Sequence, residues 1–165
     1  MWAAQGGVGR SAEVVELAVE RVVPTSPERV FAVLADGWSY PLWVVGATHM
    51  RDVDDGWPAV GSRLHHSVGA WPLMAHDVTE VVAVRPDELI ELRAHLWPTG
   101  AARIRLTLHP QGAGTRVVMT EHVERGPATL LPHPVQELLL GPRNRESLAR
   151  LAAIATRRSV PDART

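Results

Sequence analysis

The stretch that decides the fold is 134–158, PVQELLLGPRNRESLARLAAIATRR, set against the strand-like runs that precede it. Leu140, Asn144, Leu148, Leu151 and Ala155 recur at intervals of three and four, so this stretch reads as a helix with one apolar face broken by a single amide. Gly141-Pro142 interrupts it, and a proline inside a helix costs ~3 kcal/mol unless a kink or a fresh helix start absorbs it. A kink or a restart is expected there. Upstream the pattern changes. His49–Val53, Ser62–Val68, Leu73–Val84, Leu89–Leu96, Ala102–His109 and Arg116–Val123 are each rich in β-branched or alternating apolar residues. Turn clusters such as DDGWPAVG, GAWP, RPDE, WPTG and PQGAG separate them. Strands this close together, with turns and no helices between them, predict an antiparallel meander and not βαβ units.

Ahead of the meander, Val15, Leu17, Val19 and Val23 share one parity while Glu16 and Glu20 take the other, which predicts a first strand within 13–23 with one wet face. Ser26-Pro27 then supplies an N-cap and a first-turn proline, Val30, Phe31 and Leu34 a helical stripe, and Asp36-Gly37 a stop. The segment GWSYPLWVVG (37–46) reads as a loop or a short second helix. The sum is an α+β chain: about seven strands in a curved antiparallel sheet, two short helices after the first strand, and a long C-terminal helix. That helix must bury its stripe against the concave face of a twisted sheet. A curved sheet gripping one helix leaves space that side chains need not fill, so a cavity is expected between them.

Composition narrows the chemistry. At 165 residues, with 45% hydrophobic and 21% charged, the chain reads as one domain over about 13–157, with a Gly-rich flexible segment at 1–12 and a flexible polar tail at 158–165. There is no cysteine, which excludes thiolate catalysis, cysteine-based zinc sites and iron–sulfur clusters. All 17 basic residues are Arg, which removes Schiff-base chemistry. A net charge of −1 with no basic patch argues against a nucleic-acid partner. No apolar run approaches the roughly 20 residues of a membrane span, and Met1–Ser11 has neither a charged leader nor an apolar core. Cytoplasmic residence is the default expectation, as a monomer or homodimer. Adjacent His65 and His66 diverge on a strand and no HxH or HExxH spacing occurs, so no metal site is expected. No Gly-rich run has the context of a phosphate loop, and no cofactor is expected.

Five segments carry a resemblance: SPERVFAVLADGWSYPLWVVG (26–46), WPAVGSRLHHSVG (57–69), HDVTEVVAV (76–84), GTRVVMTEHVERGP (114–127) and RNRESLARLAAIA (143–155). In their order and spacing the chain resembles the SRPBCC superfamily, the START-like and birch-pollen-allergen-like helix-grip fold, and more narrowly its polyketide cyclase/dehydrase and lipid-transport branch. The resemblance implies a hydrophobic pocket between sheet and C-terminal helix that takes lipids, sterols, polyketides or plant-type secondary metabolites. Some members of such a family catalyse ring closure or dehydration and others only carry ligand, so both a cyclase/dehydratase-type acid–base enzyme and a non-catalytic carrier are in view.

Strand parity selects the candidate site residues. His66 shares a face with Leu64 and Val68, where an imidazole serves as general base or hydrogen-bond donor, or stands as a satisfied core histidine. Glu121 lies on the apolar parity of Val117, Met119 and Val123, so it needs an Arg partner or takes a raised pKa that makes it an acid or base. His66 and Glu121 are the catalytic candidates, with Glu121 as orienter or partner. Ligand-binding candidates are Trp43, Trp71, His76, Met119, Asn144 and Leu148. Of these, Trp43 lies in the short helical region that covers the pocket in the resembled family. Trp71 belongs to a set with Trp38, Trp57 and Trp97 that falls in or beside turns and is placed to rim an opening or plug strand ends. His76 shares parity with Met74, Val78 and Val82, and Asn144 interrupts the helical stripe where it can reach a ligand carbonyl or nearby backbone.

Overall fold

Alternation decides the first strand. In a computed structural model that describes residues 16–68, 75–96 and 100–157, β1 (Leu17–Val23) buries Leu17, Val19 and Val23 and leaves Glu20 and Arg21 to solvent. The helix α1 (Pro27–Leu34) begins at Ser26, whose extended backbone (φ −70°, ψ 157°) hands over to a proline pre-set for the first turn. It buries Val30, Phe31, Val33 and Leu34. A 3₁₀ turn at Gly37–Ser39 leads into the single helical turn α2 (Tyr40–Trp43). Then come β2 (Ala47–Val53), β3 (Arg63–Val68), β4 (Ala75–Arg85), β5 (Leu89–Leu96), β6 (Gly100–Gln111) and β7 (Gly114–Arg125). A second 3₁₀ turn at Pro127–Leu130 precedes α3 (His133–Arg157).

The seven strands make one curved antiparallel sheet in the order β1-β7-β6-β5-β4-β3-β2. Although β1 and β2 are neighbours in sequence, they occupy opposite edges, so the segment holding α1 and α2 must cross the face of the sheet. Gly37 makes that crossing close: a Cβ there would lie 2.7 Å from both the Leu64 and Val53 side chains. Register shifts in β2, β4 and β7 mark irregularities that bend strands and sharpen the local twist. Between β6 and β7, Gly112 takes φ 58°, the positive angle that the first position of a tight two-residue hairpin turn demands.

Against this sheet, α3 packs on β1, α1 and α2. Its buried face is Gly141, Asn144, Ser147, Leu148, Leu151, Ala152 and Ala155, while Leu140 is half-buried. Of the kink or restart expected at Gly141-Pro142, the restart does not occur: one helix continues through Pro142. The N–H that proline lacks would have bonded the Leu138 carbonyl, and Leu138 is 73% exposed, so this turn of the helix is open to solvent that can supply a donor instead. Burial starts at Gly141, so the proline stands at the join between an exposed first part and a buried second part of α3.

Leu151 is fully buried beside β1, whereas Leu138 projects from the exposed first part of the same helix. Leu151→Ala is expected to lower unfolding stability by about 2–5 kcal/mol through transfer and cavity effects. Leu138→Ala should change it by no more than about 0.5 kcal/mol. Urea unfolding of the two variants checks the pair.

Candidate functional site

Register builds the floor of the site. One inward row crosses the sheet as Leu17, Glu121, Ile104, Leu92 and Val81, and the next as Val123, Ala102, Ala94, Thr79 and Leu64. Beyond it, Asp77 pairs with His66 and His66 with Met50. In the second row β5 and β6 present two methyl groups, Ala94 and Ala102, where neighbouring positions carry Leu92 and Ile104. The space those alanines do not fill is a cavity of about 70 Å³ beneath Trp43 and beside α3. Val44, Val45, Gly46 and Ser147 also line it. The Val45 N–H donates to Ser147 Oγ at 3.1 Å, which ties this part of the wall to α3.

Polar groups gather at two poles of an otherwise apolar wall. At the β3–β4 pole, His66 Nε2 lies 2.9 Å from Thr79 Oγ1, which lies 3.3 Å from the Tyr40 hydroxyl. The Tyr40 ring stands 5.2 Å from His66 and meets Trp43 edge-on at 5.5 Å, so two aromatic contacts fix its position. Burial pushes the Tyr40 phenol above its ordinary pKa and pushes His66 down to about 4. Both groups are therefore neutral at pH 7. His66 Nδ1 is buried and closes no hydrogen bond of good geometry, while the Ser67 backbone acts on the imidazole as a hydrogen-bonding group and offsets part of the effect of burial. Asp77, also buried, completes this pole.

At the other pole, β7 and α3 bring Glu121, Arg143 and Asn144 together. Arg143 Nη2 donates to both Glu121 oxygens at 3.0 and 3.1 Å, and Asn144 Nδ2 donates to Oε2 at 2.6 Å. Arg143 Nε also reaches Asn144 Oδ1 at 3.3 Å. The Glu121 carboxylate is thus satisfied by an ion pair and an amide, as a buried charge requires.

The sequence candidates fall into place unequally. Trp43, His66, Met119 and Glu121 line the cavity. His66 and Glu121 lie on different strands with different partners, so Thr79 and not Glu121 orients the imidazole. Asn144 is fully buried but spends its amide on Glu121, and Leu148 packs in the core without lining the cavity. His76 is corrected: it is exposed on the outer face of β4, because Asp77, Thr79 and Val81 take the inward parity. Apolar residues occur on both parities of that strand, which is why the pattern misled. Trp71 and Trp97 lie outside the described residues. Trp38 is exposed, and Trp57 donates its indole N–H to the Leu34 carbonyl at 3.2 Å; neither rims the cavity. Sequence reading missed Tyr40, Thr79 and Arg143. The available signals were slight: Tyr40 is the one tyrosine of the chain, and Arg143 directly precedes Asn144. Among the described residues, no group of three or more His, Asp or Glu side chains is placed to hold a metal ion, and no helix is long and apolar enough to cross a membrane.

A bent seven-stranded sheet closed on a long terminal helix, with a small hollow between them, defines the helix-grip class. Residues 14–156 match the family described as polyketide cyclase / dehydrase and lipid transport, and the chain belongs to it. Similar solved structures include protein CV1439 from Chromobacterium violaceum, at 20% identity over 85% of this chain and 96% of that one, with a TM-score of 0.64. Mll3558 from Rhizobium loti is 24% identical over 85% and 96% of the two chains, with a TM-score of 0.61. The di-domain ARO/CYC StfQ from the steffimycin biosynthetic pathway is 11% identical, with a TM-score of 0.68 over 86% of this chain and 50% of that one. At these identities the likeness carries the fold. No curated protein sequence matches significantly. The family and fold together point to binding of a hydrophobic ligand.

The buried imidazole makes stability depend on pH. With a folded value of about 4 against 6.5 in the unfolded chain, the unfolded state binds a proton that the folded state refuses between those values. Exclusion of that proton therefore costs almost nothing at pH 7 and removes roughly 3 kcal/mol by pH 4. Denaturant midpoints for the parent and His66→Gln should converge at pH 7 and diverge toward pH 4, with the variant losing less. Parallel losses in both would contradict the assignment.

Proposed function

We propose that this chain binds an apolar, ring-bearing small molecule over the Ala94–Ala102 floor, with an oxygen function of the guest turned toward His66. The observation that carries the reading is the coincidence of an apolar hollow with a buried imidazole on its wall whose Nδ1 closes no hydrogen bond of good geometry. A buried polar atom without a well-formed hydrogen bond is costly, and a guest oxygen at Nδ1 relieves that cost. The hollow of about 70 Å³ is well short of the roughly 300–1,000 Å³ typical of small-molecule pockets, so a larger guest needs the wall to move outward. The Val44–Ala47 segment suits that movement, because among the described residues one hydrogen bond, Val45 N–H to Ser147 Oγ, links Val45 to α3.

Ethylbenzene provides an apolar probe. Titration followed by backbone amide shifts should show saturable binding centred on Ala94, Ala102 and Met119, and Ala94→Phe should weaken it at least tenfold while leaving the fold intact. Absence of saturable binding, or binding indifferent to Ala94→Phe, would overturn the reading.

A second reading adds acid–base chemistry of the cyclase/dehydratase type, and one observation favours it. Tyr40 O–H, Thr79 O–H and His66 form a chain whose direction sets the tautomer: if the hydroxyls donate toward Nε2, Nδ1 carries the proton, and if they donate the other way, Nδ1 is a base. At a pKa of about 4 the imidazole relays a proton better than it holds one. The carrier reading predicts no chemistry at all. Acetophenone in deuterated buffer separates the two. Protein-accelerated deuterium exchange at its methyl group, lost in Thr79→Val, supports the acid–base reading; exchange at the buffer rate contradicts it and leaves the carrier.

A further inference from the structure

The second pole holds a cation that is only half used. Arg143 directs Nη2 at the Glu121 carboxylate and Nε at Asn144, and Nη1 makes no hydrogen bond among the described residues. The side chain is 33% exposed and lines the cavity, while Glu121 and Asn144 beneath it are buried. Glu121 and Asn144 thus act as a fixed socket: a planar guanidinium gripped along one side cannot turn freely, and its remaining N–H groups keep one heading. Those groups only donate. What they recognise is therefore an acceptor oxygen.

Charge decides which kind of oxygen. Glu121 already balances Arg143, His66 is neutral, and Asp77 is the other acidic group on the wall, so the cavity offers no net positive charge to an anion. A full carboxylate brought here would lose its water and gain no uncompensated cation in return. A carbonyl or hydroxyl oxygen loses less water and still receives a charge-assisted hydrogen bond. Between the two poles the floor on β5 and β6 is apolar: Leu92, Ala94, Ala102 and Ile104.

We infer that Arg143 Nη1 is a second subsite for a neutral acceptor oxygen, at the pole opposite the one that faces His66, with Glu121 and Asn144 as positioning residues that hold the guanidinium. The inference rests on the ligand-binding reading and narrows its guest to an apolar molecule carrying a ketone- or hydroxyl-type oxygen in preference to an acid. It also gives Glu121 a role other than proton transfer.

Three probes of similar size separate the possibilities: ethylbenzene, acetophenone and benzoate, titrated against the parent protein, Arg143→Lys and the double variant Glu121→Leu/Arg143→Leu. Lysine keeps the ion pair with Glu121 but has no second N–H edge to offer. The double variant removes both charges, so no carboxylate is left buried alone. The parent should bind acetophenone about tenfold more tightly than ethylbenzene, and benzoate no more tightly than acetophenone. Both variants should lose the acetophenone preference while ethylbenzene affinity stays within about twofold. A preference that survives in both Arg143 variants, or benzoate as the tightest of the three probes, would overturn the subsite. Failure of ethylbenzene to bind the parent would instead bring down the ligand-binding reading beneath it.

Discussion

One helix cannot cover seven strands. An α-helix with its side chains is about 10–12 Å across, whereas the six intervals of a seven-stranded sheet span about 29 Å at the usual strand spacing of about 4.8 Å. The long terminal helix lies over β1 and reaches the first helices, which leaves the middle of the sheet to the crossing segment between β1 and β2. That segment contributes Tyr40 and Trp43, two bulky residues that roof the floor without filling it. The hollow is a consequence of this mismatch in width, and the alanine pair on β5 and β6 places it.

Polar groups in such a hollow survive only if the fold gives them partners. Glu121 has Arg143 and Asn144, both from the helix that the sheet grips, so the same packing that buries the carboxylate supplies its counter-charge. On the outer face, Glu91 and Glu124 feel the same opposition. Burial pushes both carboxyls up, yet hydrogen bonds from Arg103 and Arg105 to Glu91, and from Arg103 and Arg93 to Glu124, leave both below their ordinary pKa. His66 differs from all of these. Its Nε2 is satisfied through Thr79, its Nδ1 closes no hydrogen bond of good geometry, and it meets burial by giving up its charge.

Much of this architecture was legible in the sequence because strand alternation, turn clusters and the helical stripe are local patterns. The strand positions, though not their ends, and the stripe through Asn144, Leu148, Leu151 and Ala155 needed no tertiary information. Which face of β4 turned inward was not legible. Asp77 and Thr79 are polar yet buried, and their burial depends on Tyr40, 39 positions before Thr79, and on His66 across the strand pair. The same holds for Arg143: its meaning comes from Glu121, 22 positions earlier, and nothing in the neighbourhood of Gly141-Pro142 announces a partner. Patterning identifies what avoids water. It does not identify polar residues whose partners are brought from elsewhere in the chain.

The claim on which the account stands is that the space over Ala94 and Ala102 accepts an apolar guest, and diffraction from crystals pressurised with xenon measures this most directly. Xenon is apolar, and as a single atom it is small enough for a cavity of about 70 Å³. The account predicts a strong xenon peak in van der Waals contact with the Ala94 and Ala102 methyls and with Trp43. A cavity without xenon, filled by well-ordered water hydrogen-bonded from pole to pole, would contradict it.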